Sequence, residues 1–124
     1  MFLDVTARRN PSLIRVAARL QQTGAIPANT YVIDLDTVRE NAKAMAAEAE
    51  RVGIRLYAMT KHYNRNPLVT HAVLQAGLHS TVAVDVQCVQ TLRRFGLPVG
   101  HVGHLVQIPK HDLRFVLATN PEVM

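Results

Sequence analysis

The chain has 124 residues, 48% of them hydrophobic, with one cysteine, no tryptophan and a formal net charge of +5. That is material for one modest core, and the single Cys88 cannot close an intrachain disulfide, which fits a reducing compartment and sets cytoplasm as the expected location. Four arginines against one acid in residues 1–30, four cations against five acids in 31–60 and six against three in 61–124 spread the charge along the chain. No basic arm is therefore offered to nucleic acid, and no aromatic residues are interleaved with basic ones to stack bases. Asp4 interrupts any leader-like start, and no apolar run approaches the length of a membrane span.

In chain order, Asn10 as cap and Pro11 at the first helical position announce a helix whose apolar stripe is Leu13, Ile14, Val16, Ala17 and Leu20. It should stop near Gly24, so residues 1–30 read as a helical lead-in. Tyr31 to Leu35 is a β-rich stretch, and Asp36 is a candidate cap for a helix carrying Val38, Ala42, Met45, Ala49 and Val52 and closed by Gly53. Ile54 to Thr60 reads as a buried strand, followed by a helix opened by Asn66-Pro67 and ended by Gly77. Thr81 to Val84 is the next strand, with Asp85 capping a helix that Gly96 ends. Val99 to Val106 is the third strand, Leu113, Val116 and Leu117 mark a short helix, and Glu122-Val123-Met124 stands where a fourth strand should begin. Strands without polar alternation, each followed by an amphipathic helix, predict an α/β fold with a parallel sheet. An open doubly wound sheet and a closed barrel use the same unit, and this periodicity does not separate them.

Among chemistry-bearing residues, Lys61 stands out because it directly follows the apolar run Leu56-Tyr-Ala-Met-Thr60. That is the functional edge of a parallel α/β fold, where a partly desolvated lysine can condense with a carbonyl; the plainer alternative is a lysine that solvates a strand end. Arg65 in the following loop is a candidate for meeting a phosphate or carboxylate, or a solvated loop charge. Asp85 is a candidate ligand contact, but capping explains it completely. His101 and His104, three apart, fall on opposite faces of a strand and do not read as one metal site, while His62, His71, His79 and His111 are scattered. Cys88 among apolar helix positions reads as a buried structural thiol. Gly100 and Gly103 make no dinucleotide fingerprint, and Thr6 and Ser12 have no triad partners.

Tyr31-Val-Ile-Asp-Leu-Asp-Thr-Val-Arg-Glu-Asn41 resembles the opening of the alanine racemase N-terminal-domain family of fold-type III pyridoxal-phosphate (PLP) enzymes, and Leu56-Tyr-Ala-Met-Thr-Lys61 resembles that family's first barrel strand and its cofactor lysine. Val82-Ala-Val-Asp85 and Leu92-Arg-Arg-Phe-Gly-Leu-Pro98 extend the likeness over residues 31–124. Met59-Thr-Lys61, Arg65-Asn-Pro67 and Gly103-His-Leu-Val-Gln-Ile-Pro109 resemble a racemase-like branch, the YhfX type, whose likeness includes the lead-in. The resemblance implies the first three units of a (β/α)8 TIM barrel, a Schiff base between PLP and Lys61, proton transfer at the α-carbon of an amino-acid substrate, and a homodimer in the full-length form. His104 would then face the cofactor ring; Asp85 and Arg65 stand beside it as candidate cofactor contacts on the reading of the residues alone. His62-Tyr-Asn-Arg-Asn66 departs from the family's Ala-Asn-Ala-Tyr-Gly-His, so that loop's contacts do not transfer. The family's phosphate strands and C-terminal β-domain would lie beyond Met124, so the 124 residues alone are expected to be inactive. Two rival expectations are a PLP-holding homeostasis protein of the same fold, which His101-Val-Gly-His-Leu105 resembles in part, and a non-catalytic α/β interaction module.

Overall fold

A computed structural model describes residues 2–103 and 106–124. They form two compact units, Met1–Asp34 and Leu35–Met124, the division lying four residues beyond the expected end of the lead-in.

The first unit is a pair of helices, α1 (Phe2–Arg9) and α2 (Pro11–Gln22). Sequence reasoning assigned α2 and missed α1, which ends against the same Asn10 that starts its neighbour. The Asn10 side chain accepts from the Leu13 amide at 3.1 Å and donates to Asp34 Oδ2 at 2.6 Å, satisfying an amide the first helical turn leaves open. The expected strand over Tyr31–Leu35 does not form. Residues 31–34 are irregular and Tyr31 is 95% exposed, because β-branched composition makes a strand only where a partner edge is available. The next helix, α3 (Leu35–Arg51), begins at Leu35, which places Asp36 in its first turn and not at its cap.

The second unit alternates strands and helices after α3: β1 (Tyr57–Met59), α4 (Pro67–Gln75), β2 (Ser80–Ala83), α5 (Val86–Arg94), β3 (Val99–Val102) and α6 (Leu113–Leu117). The fold is mixed α/β with a three-stranded parallel sheet in the order β1-β2-β3. Asn66 caps α4 by accepting from the amides of Leu68 and Val69, with Pro67 at the first position, and Asp85 caps α5 by accepting from the Cys88 amide at 2.7 Å. Two strands are shorter than expected. Ile54 is exposed and outside β1, Thr60 has already turned into a 3-10 helix (Thr60–Tyr63), and β3 stops at Val102, before the left-handed Gly103. Val123 forms an isolated parallel bridge with His101, and its carbonyl accepts from the Val102 amide at 2.9 Å, so the segment after α6 lies beside β3 where a fourth strand was expected.

Ala83, Val99 and Val102 face Cys88, Val89 and Leu92 of α5 and Val116 of α6, and these residues with Leu97 form the core. Alternation sends the intervening side chains to the opposite face. There Tyr57 meets the ring of His101 edge-on at 6.5 Å. The register shifts by one between β2 and β3, Thr81 pairing with Val99 and Val82 with His101, so that Gly100 is an extra, bulged residue.

Candidate functional site

Parallel pairing of Met59 with Val82 and of Val82 with His101 aligns the carboxyl ends of the three strands. Lys61 and Asp85 therefore emerge at one edge. Lys61 sits on the 3-10 turn and is exposed, while its carbonyl accepts from the Asn64 amide at 3.1 Å. The turn is anchored from beneath by Thr60, fully buried, whose hydroxyl lies 3.9 Å from Cys88 Sγ of α5. Cys88 is itself fully buried, in the core.

The loop after Lys61 is unusual in two ways. Asn64 and Arg65 are both left-handed, with φ of 53° and 58°, a conformation that costs a bulky side chain energy unless the surroundings impose it. Moreover, among the described residues the Tyr63 hydroxyl and Arg65 Nε are buried with no close hydrogen-bond partner. Burial pushes the Tyr63 phenol above its ordinary range; a long hydrogen-bonding contact with the Thr70 hydroxyl, which itself donates to the Asn66 carbonyl at 2.8 Å, opposes this only in part, and Cys88 adds to the rise. Orphaned buried polar atoms are rare, and two within three residues mark a place where the chain alone does not complete its hydrogen bonding. Tyr63 was not singled out by sequence; its only signal there was its position two residues after Lys61.

Asp85 stands at the same edge, one carboxylate oxygen held in the α5 cap, and borders a small cleft of about 210 Å³ with Ile108, Pro109 and Asp112. Lys61 lines neither this cleft nor the 660 Å³ cleft between α3 and the α4–β2 turn. His104 lies outside the described residues. Among the described residues no group of three His, Cys, Asp or Glu side chains comes together as a metal site, and no helix is long and apolar enough to cross a membrane.

A second polar cluster, also missed from sequence, occupies the opposite edge. Glu122 Oε2 accepts from Arg55 Nη1 at 2.6 Å and from the Tyr57 hydroxyl at 3.0 Å, and Glu122 Oε1 lies 2.6 Å from His79 Nε2. These contacts, His79 foremost and then Tyr57, hold the Glu122 carboxyl below the usual carboxylate range. Tyr57 is pushed up in turn, by desolvation first, then by its hydrogen bond to Glu122 and by the Glu122 charge. In parallel α/β folds this amino-end rim serves stability, whereas chemistry gathers at the carboxyl edge that carries Lys61.

No family model matches the chain. It is similar over all 124 residues, at 42% identity, to YhfX of Escherichia coli (strain K12), a protein described as uncharacterised, and it spans 32% of that protein's length.

Proposed function

We propose that this chain supplies the opening βα units of a (β/α)8 barrel that acts on amino acids with PLP, as a racemase or a related α-carbon enzyme, and that Lys61 carries the cofactor. The observation behind this is the placement of Lys61: a solvent-accessible amine on a tight turn at the carboxyl end of the first strand. Strand order supports a barrel. After β3, a doubly wound sheet of the dinucleotide-binding type returns to the far side of its first strand, whereas here Val123 continues beside β3.

The residues around Lys61 suit a phosphorylated aldehyde. Residues 51–84 contain no Asp or Glu, and the Tyr63 hydroxyl and Arg65 Nε, without a close partner among the described residues, are donors of the kind that phosphate oxygens accept. Asp85 shares the edge, and His104 remains an expectation. When bound, PLP supplies the electron sink that loosens the substrate α-proton. Lys61 would hold the cofactor through its amine and would serve as a base toward the substrate α-proton. Arg65 holds negative charge in place, and the buried Thr60–Cys88 contact keeps the turn from drifting.

Borohydride reduction after adding PLP to the full-length protein tests this reading. A single adduct on the Lys61 peptide, lost in Lys61→Ala, is expected; label on Lys43 or Lys110, or none, overturns it. Exchange of the substrate α-proton in deuterium oxide then separates an enzyme from a protein that only holds PLP.

Tyr63→Phe gives a separate expectation. Because its hydroxyl has no close hydrogen bond among the described residues, removing it should leave the ligand-free chain as stable as before, or more stable by about 1 kcal/mol, while lowering retention of PLP. Urea unfolding and a PLP titration check the two halves; a marked loss of stability without ligand would show that the hydroxyl serves the fold.

A further inference from the structure

Glu122 draws its donors from sequence positions 43 to 67 residues away. Arg55 comes from two residues before β1, Tyr57 from its first position and His79 from the residue before β2, while Glu122 itself belongs to the segment beside β3. Its carboxylate thus joins the two outer margins of the sheet. The Tyr57 ring spans the interval: it meets His79 edge-on at 5.4 Å and His101 at 6.5 Å, and it lies so close over the bulge that a Cβ on Gly100 would stand 2.6 Å from it.

The backbone around Glu122 is held just as locally. The amides of Glu122 and Val123 both donate to the Gly100 carbonyl, at 2.8 and 3.1 Å, and the Val102 amide donates to Val123 at 2.9 Å. Three short hydrogen bonds on an exposed segment are weak by themselves, since segments with few buried contacts open locally at little cost. The carboxylate adds three partners that exist in this form only while it is charged.

We propose that Glu122 is an acid-released latch, a charged side chain that fastens the segment after α6 to the sheet and lets it go when the carboxylate takes a proton. The groups facing it are Arg55 ahead of β1, Tyr57 of β1 and His79 ahead of β2, with His101 of β3 behind the Tyr57 ring; Lys43 and Glu50 of α3 share a cleft with Arg55 and His79. The sign follows from linkage. A carboxyl held below its unfolded value contributes attachment above that value and loses it as pH falls through the lowered one. Release therefore belongs to the carboxylate range, below the ordinary value for a glutamate.

Amide hydrogen exchange on the 124-residue chain, corrected for intrinsic rates, tests the latch between about pH 7 and about pH 3. Protection at Val102, Glu122 and Val123 should fall by up to about tenfold per pH unit once the carboxyl begins to protonate, while the amides of Val89 and Leu97, bonded within the α5 region, stay protected. Glu122→Gln should show the low protection already at neutral pH and no further acid step, and Tyr57→Phe an intermediate value with the acid step retained. Protection that does not change down to the lowest pH, Glu122→Gln as protected as the parent, or simultaneous loss at all amides would each overturn the proposal. If Glu122→Gln does not fold, Arg55→Gln and Tyr57→Phe carry the test, and a parental acid profile in both overturns it.

Discussion

Gly100→Ala should destabilise the second unit by about 1–3 kcal/mol, the range for forcing extra volume into a packed site. An ideal Cβ at residue 100 would stand 2.6 Å from Tyr57 Cε1, 2.7 Å from Ser80 Cβ and 2.8 Å from Ser80 Oγ. None of these neighbours retreats freely. Ser80 is buried on the central strand, and the Tyr57 ring is held by Glu122 at its hydroxyl and by His79 and His101 at its edges. Because residue 100 is the bulged one, moving it would also disturb the pairing of His101 with Val82. Urea unfolding of Gly100→Ala, Tyr57→Ala and the double variant measures the effect. With the ring gone the added methyl should cost much less, so the two changes should be clearly non-additive. A cost within about 0.5 kcal/mol for Gly100→Ala alone would mean that the ring does not lie over the bulge.

The elements that sequence reasoning placed well are those defined by their own residues. Asn10-Pro11, Asn66-Pro67 and Asp85 each carry a cap whose donor lies within three residues, so local chemistry suffices. Strands depend on what stands beside them. Tyr31–Leu35 has as apolar a composition as Ile54–Thr60, yet only part of the second run meets a neighbour, through Tyr57, Ala58 and Met59. The same dependence shortens β3 from the expected Val99–Val106 to Val99–Val102. Helix α1 went unnoticed because Phe2–Arg9 carries neither a proline at its first position nor a glycine at its end to mark it.

At the candidate site the division is similar. Lys61 was legible because its position after an apolar run is a property of the sequence, and the parallel register then sets it at the same edge as Asp85. The orphaned atoms of Tyr63 and Arg65 were not legible, since a missing partner is a fact about packing. Nor was the Glu122 cluster, whose closest partner in sequence is 43 residues away. Asp85 was read in two ways, as cap and as ligand contact; the geometry assigns the cap directly.

Leu92→Ala should have the largest effect on stability, about 2–5 kcal/mol. Leu92 is fully buried at the centre of the core, on the same face of α5 as Cys88 and Val89, four and three residues before it. Its amide-ladder partner Leu97 closes the helix above it, donating to the Leu92 carbonyl at 3.0 Å, so the backbone has little room to collapse into the space a truncation would leave. For a domain whose total stability is about 5–15 kcal/mol, such a loss is a large fraction. Leu117→Ala is the control: at 57% exposure on α6 it should cost about 0.5 kcal/mol or less. The same variant probes the site, because α5 supplies the Cys88 that meets Thr60 beneath Lys61. If Leu92→Ala also slows PLP capture at Lys61 under conditions where the chain remains folded, the core holds the turn in place; if capture is unchanged, the turn is held by its own hydrogen bonds, from Arg65 and Asn64 back to Thr60 and Lys61.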